Sequence, residues 1–239
     1  MPSEHLSKRY ELDLETIRSN VLKMGGLVEK QFFDVMTCYG SLNINEAERI
    51  ISTDAEVNKM EVSIDDSISH LIVKQQPAAN DLRAVMATIK VITDLERIGD
   101  EITKIARCAR AMHNRGIASV SYEETTRLMS TFAGKQLHDS LDAFARYDNK
   151  QAAKIIVSDD AIDYEYKTIM RNAIILMMED PRTISVTLDT VWVAKAIERI
   201  GDHAKNIAEY VIYIVEGKDI RHTDYAALQR NSSTEKEIT

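Results

Sequence analysis

Apolar positions recur every three to four residues along almost the whole chain, a spacing that predicts helices and not strands. A heptad-like pattern runs from about Tyr10 to Tyr39 and is broken by Gly40-Ser41 and the pair Asn43/Asn45. A second helix is expected from about Glu46 to Gln75, ending before Pro77 because the proline ring clashes with helical backbone on its N-terminal side. A third runs from about Asp81 to Asn114, with Gly116 as its cap. The same order then returns: Tyr122–Arg146, Lys150–Met178, and Arg182–Glu216 stopped by Gly217. Helices of about 30 residues are about 45 Å long, and three of them with short connections pack as an antiparallel up-down bundle. The expected architecture is all-α: two tandem three-helix bundles, six long antiparallel helices in all.

The two bundles read as copies of one another. The stretch from Asp94 to Ala106 recurs 102 residues later as Ala196 to Ala208, with Glu, Arg, Ile, Gly, Asp, Ile and Ala unchanged. Upstream of the prolines the offset is 105, which aligns Asp34 with Asp139, Ala47 with Ala152, and Asp54 with Asp159. The expected division is residues 1–115 for the first repeat and 116–217 for the second. Residues 218–239 form a polar tail, expected to be disordered.

Composition supports the helical reading. Only 8 Gly and 3 Pro occur in 239 residues, too few for the turns of a sheet-rich fold. A net charge of -8 argues against non-specific nucleic-acid binding and against a polybasic membrane anchor. No apolar run is long enough to span a bilayer, and the start of the chain lacks the pattern of a signal peptide, so a cytoplasmic protein is expected. Cys38 and Cys108 sit among apolar neighbours and read as buried thiols in a reducing compartment.

The candidate chemistry lies beside the buried stripes. In the third helix Leu95, Ile98, Ile102, Ile105 and Ala109 form the core stripe, and Glu96, Gly99, Asp100 and Thr103 lie next to it. In the sixth helix Ile197, Ile200, Ala204 and Ile207 are flanked by Glu198, Gly201, Asp202 and Lys205. Like charges at i,i+4 repel by a few tenths of a kcal/mol, and a mid-helix glycine costs about 1 kcal/mol relative to alanine. Such violations of local preference mark strained or functional positions. The glycine lets a partner helix, an ion or another protein come close. Further pairs sit on the preceding helices: Asp54 with Asn58, and Asp159 with Asp163, while Asp34 and Asp139 lie on the first helix of each repeat. Converged, these oxygens suit a hard cation such as Mg, Ca, Mn or iron. Surface ion-pairing, with Glu96 held by Lys104 or Arg83, and a partner interface remain alternatives.

Other features are weaker. The six histidines show no metal-ligand spacing, and Glu-x-x-His is absent at Glu96 and Glu198, where glycine stands three residues on. Trp192 reads as core or interface packing, and Met36 and the pair Met177/Met178 read as core filling. No phosphate-cradling loop, nucleophile elbow or oxyanion arrangement is present.

Taken together, Gln75-Gln76-Pro77, Asp81-Leu82-Arg83, the run from Asp94 to Asp100, Met177 to Arg182, and Ile197 to Glu209 resemble the PhoU family of phosphate-specific transport system accessory proteins. The resemblance covers about residues 5–216, in order and in both repeats. It implies two three-helix bundles, and metal clusters (Mg, Mn or Fe) held through Glu96/Asp100, Glu198/Asp202, Asp54/Asn58 and Asp159/Asp163. Asn58 departs from a strict carboxylate pair. It implies a regulatory, non-enzymatic role with two partners, the ATPase subunit of a phosphate ABC transporter and a sensor histidine kinase, keeping the phosphate-starvation response off. A homodimer is a further expectation. A carboxylate-metal hydrolase and a metal-free helical scaffold are the alternatives from other classes.

Overall fold

A computed structural model describes the backbone of residues 2–117, 123–158 and 160–220, with side chains for 8–117, 124–158 and 160–220. The helices are α1 (Pro2–Ser41), α2 (Ile44–Gln75), α3 (Ala79–Asn114), α4 (Glu123–Arg146), α5 (Asn149–Ser158), α6 (Asp160–Glu179) and α7 (Ile184–Glu216), with a 3₁₀ turn at Pro181–Thr183. Helices α5 and α6 lie on either side of residue 159 and take the place of the expected Lys150–Met178 helix. Of the tail 218–239 expected to be disordered, only 218–220 are described, with Ile220 buried; residues 221–239 lie outside the described residues.

Local chemistry sets the helix ends, and it does so twice. Between α1 and α2, Leu42 takes φ 49°, and the Asn43 side chain accepts hydrogen bonds from the Asn45 and Glu46 amides. Between α4 and α5, Tyr147 takes φ 51°, and Asp148 Oδ1 accepts from the Lys150 and Gln151 amides at 3.0 Å. Both turns sit at equivalent places in the two repeats, 105 residues apart. Gly217 ends α7 at φ 74°, and its amide donates to the Tyr213 carbonyl.

Helices α1, α2 and α3 pack on one another as the first bundle, and α4, α5, α6 and α7 as the second. The repeats meet mainly along α3 and α7, with a smaller contact between α1 and α4. Leu95, Ile98, Ile102, Ile105, Ile197, Ile200, Ala204 and Ile207 are at most 1% exposed, as the periodicity required. Among the described residues no helix is long and apolar enough to cross a membrane.

The structure overturns the core reading of Met178 and leaves Trp192 only the interface alternative. Trp192 is 68% exposed and Met178 78% exposed, so neither fills the core. Both lie on the outward stripe of a helix whose inward side is already filled by Val193, Ala194 and Ala173. Met36 is partly buried and does pack against the core.

Candidate functional site

The two mid-helix glycines have a packing explanation. A Cβ built on Gly99 would lie 3.3 Å from Val57 Cγ1, and one on Gly201 would lie 2.7 Å from Ile162 Cδ1. Val57 and Ile162 are equivalent residues of the two repeats, so the same close helix approach is made twice. What the glycine admits is the neighbouring helix, and that approach carries the flanking carboxylates toward the oxygen-bearing side chains opposite.

In the first repeat this brings Asp54 of α2 against α3. Asp54 Oδ1 accepts a hydrogen bond from the buried Thr103 hydroxyl at 3.1 Å. Partly buried Glu96 has its carboxyl pushed above the ordinary range, first by burial, then by the charges of Asp100, Glu61 and Asp54, with Arg97 opposing. Asn58, one turn beyond Asp54, has a buried Oδ1 with no hydrogen-bond partner among the described residues. Four carboxylates and an orphaned amide oxygen are thus gathered on one side of the α2–α3 pair. All donors are oxygen, the set that suits a hard cation. As placed, no three His, Cys, Asp or Glu side chains among the described residues form a ready metal cage.

In the second repeat the surroundings differ. Lys195 Nζ lies 2.5 Å from Glu198 Oε2, and the Glu198 side chain is only 12% exposed. Asp163 faces Lys167 at 3.8 Å. Asp202 is exposed, and Asp159 lies outside the described residues. Neither Asp34 nor Asp139 joins a cluster: Asp34 pairs with Arg49 at 2.8 Å and Asp139 with Lys135 at 2.5 Å. Lys104 does not hold Glu96; its ammonium lies 2.8 Å from buried Glu101.

The sequence reading missed the polar seam between the repeats. His203 Nδ1 lies 2.7 Å from Asp94 Oδ1, and Asn206 Nδ2 donates to the same oxygen at 3.3 Å. Arg199 Nη1 reaches Glu101 at 2.9 Å, and Arg115 binds Asp189 and Ser185. Rising α3 numbers meet falling α7 numbers, so these helices are antiparallel. The available signal was the mismatch between the copies: Asp94 stands opposite Ala196, and Glu101 opposite His203. Asp94, Glu101, Arg199 and His203 each sit within two positions of Glu96, Asp100, Glu198 or Asp202.

A cleft of about 780 Å³ lies elsewhere, between α1 and α4, walled by Phe32, Phe33, Met36 and Tyr39. It does not touch the carboxylate faces.

Comparison with known proteins gives the architecture a lineage. A PhoU domain model matches residues 21–109 and again 126–211, one match for each repeat. The chain is 44% identical over 230 residues to the phosphate-specific transport system accessory protein PhoU of Serratia marcescens, covering 95% of this chain and 93% of that protein. It is 42% identical over 222 residues to the protein of the same name from Escherichia coli strain K12, covering 92% and 90%. The crystal structure of PhoU from Pseudomonas aeruginosa superposes with a TM-score of 0.84 at 41% identity, covering 87% of this chain and all of that one. The phosphate transport system regulatory protein PhoU from Streptococcus pneumoniae gives a TM-score of 0.81 at 26% identity, covering 88% and 98%. With both halves matched and the relatives spanned nearly end to end, the chain belongs to the PhoU family.

Proposed function

We propose that this protein is a cytoplasmic, non-enzymatic adaptor of a phosphate transport system that holds phosphate-starvation signalling off when phosphate is plentiful. Its partners are the ATPase subunit of the transporter and a sensor histidine kinase, and it works as a homodimer. The observation that carries the reading is the near-full-length match to proteins named as phosphate transport accessory or regulatory proteins. The absence of a nucleophile, base and oxyanion arrangement from the sequence supports a binding role over a hydrolytic one.

The acidic α2–α3 face serves this role by binding a hard cation (Mg, Mn or Fe) through Asp54, Asn58, Glu96 and Asp100. The cation supplies positive charge against carboxylates that repel one another when bare. Protein bound to it is stabilised relative to the unfolded chain, which fixes the surface offered to a partner. The chain's own residues keep the donors ready: Thr103 orients Asp54, and Gly99 sets the distance between the helices.

The test is complementation. A strain lacking this gene is expected to express a phosphate-starvation reporter constitutively in phosphate-rich medium, and the wild-type gene to restore repression. Repression that persists in the deletion strain would refute the regulatory role. Glu96→Gln with Asp100→Asn is expected to weaken repression while the folded protein accumulates normally.

A further inference from the structure

The two repeats share a backbone but not a charge pattern, and the differences fall together in space. Among the positions around the carboxylates that have changed between the copies, Thr93 is replaced by Lys195, Asn58 by Asp163, Glu61 by Tyr166, Val62 by Lys167, and Thr103 by Lys205. The equivalence is fixed by contact as well as by alignment, since Gly99 meets Val57 where Gly201 meets Ile162. The first repeat gathers Asp54, Glu61, Glu96 and Asp100 with no lysine at any of these places. The second carries Asp159, Asp163, Glu198 and Asp202 with three.

Lys195 occupies the centre of this exchange. Its ammonium lies 2.5 Å from Glu198 Oε2 and 5.3 Å from the centroid of the Tyr166 ring. A charge-assisted hydrogen bond and a cation–π contact together hold it in place. Lys167 faces Asp163 on the same helix as Tyr166.

We propose that Lys195 is a resident cation of the second repeat, so that metal-ion binding is confined to the first. This rests on the cation reading of the first repeat given above. An ammonium against Glu198 supplies the charge that a bound ion would bring, and a divalent ion there must first displace it. The duplicated site has thereby divided its roles: one copy stays responsive to an external ion and the other is fixed in the neutralised state.

The test uses the full chain, with Mn²⁺ as probe in equilibrium dialysis and with melting in chelator. Glu96→Gln/Asp100→Asn is expected to weaken Mn²⁺ binding at least tenfold, whereas Glu198→Gln/Asp202→Asn leaves it within about twofold. Lys195→Thr, which installs the first repeat's residue, is expected to raise binding capacity and to lower the metal-free melting temperature by about 2–4 °C, a common size for the loss of one interaction at this chain length. Adding Glu198→Gln to Lys195→Thr should restore that melting temperature. Equal loss of Mn²⁺ from the two carboxylate double variants overturns the confinement, as does unchanged capacity in Lys195→Thr. Wild-type protein that binds no Mn²⁺ overturns the cation reading and the confinement with it. The resident-cation claim is then decided by the metal-free melts alone, and fails if Lys195→Thr and its Glu198→Gln combination melt alike. Should Lys195→Thr not fold, Lys195→Met carries the same comparison.

Discussion

His203 Nδ1 stands 2.7 Å from Asp94 Oδ1, with the two side chains 8% and 6% exposed, and this pair ties α7 of the second repeat to α3 of the first. The same Asp94 oxygen also accepts from Asn206. A polar contact this well sealed constrains how the bundles sit, because neither partner finds water if the other is removed.

Breaking one side is therefore expected to be costly. His203→Leu leaves Asp94 buried with Asn206 alone and should destabilise the protein by about 1–3 kcal/mol, the range for removing a hydrogen-bond partner from a buried polar group. Asp94→Ala with His203→Leu should recover much of that loss, since the second repeat already carries alanine at the equivalent Ala196. Urea unfolding of the two single variants and the double gives the coupling directly. Additive single-variant effects would show that the pair does not act as a unit.

The glycines provide a graded comparison. Alanine gains about 1 kcal/mol in helix propensity at either site. At Gly99 the new methyl meets Val57 at 3.3 Å, a tight but yielding contact, so Gly99→Ala should be close to neutral. At Gly201 it meets Ile162 at 2.7 Å, and overpacking by about 1–3 kcal/mol should outweigh the gain. Ile162→Val removes the offending Cδ1, so Gly201→Ala/Ile162→Val should melt above Gly201→Ala. If the two glycine variants melt at the same temperature, close approach is not what these glycines secure.

Much of this architecture was legible from the chain, for reasons visible at particular residues. The stripes through Leu95 to Ile105 and Ile197 to Ile207 repeat with helical period, and Pro77, Gly116 and Gly217 end helices by backbone geometry that no context overrides. The duplication located Glu96/Asp100 and Glu198/Asp202 because identical violations in two copies stand out. Tertiary partners were not legible. Periodicity places Glu101 and His203 in a buried zone but does not say that each answers a charge on the other repeat. Nor does it separate a tryptophan facing the core from Trp192, which faces out. The difference between the two carboxylate faces was written in the substitutions at Lys195 and Tyr166, yet only the helix register set by Gly201 and Ile162 turns them into neighbours.

The thiols should be quiet at neutral pH. Burial pushes Cys38 up to about 11, helped by the charge of Glu46, and burial likewise pushes Cys108 up to about 11, with Arg115 opposing. Since the thiolate is the nucleophile, a disulfide reagent is expected to label native protein at pH 7 far more slowly than unfolded protein. The folded values lie above the ordinary 9.0, so the stability these thiols contribute is present below about pH 9 and is lost as pH rises toward 11. Rapid labelling of either cysteine in native protein at pH 7 would contradict this.

Glu96 gives the clearest reading of the bare acidic face. Its carboxyl is raised above the ordinary 4.5 by burial and by Asp100, Glu61 and Asp54, so the folded state binds the proton more readily than the unfolded chain. The stability linked to this group is therefore complete below about pH 4.5 and is lost as pH rises through the folded value. Glu96→Gln keeps the shape without the charge. In chelator at pH 7 the variant should melt above the wild type, and the two curves should converge as pH falls below 4.5. Adding Mn²⁺ at pH 7 should reverse the order, because the ion stabilises only the protein that keeps the full carboxylate set. Melting temperatures across pH 3.5–7, with chelator and with Mn²⁺, decide the matter. A variant that melts below the wild type in chelator at pH 7 would show that the ionised Glu96 is already satisfied by the protein, leaving no uncompensated charge to attract a cation.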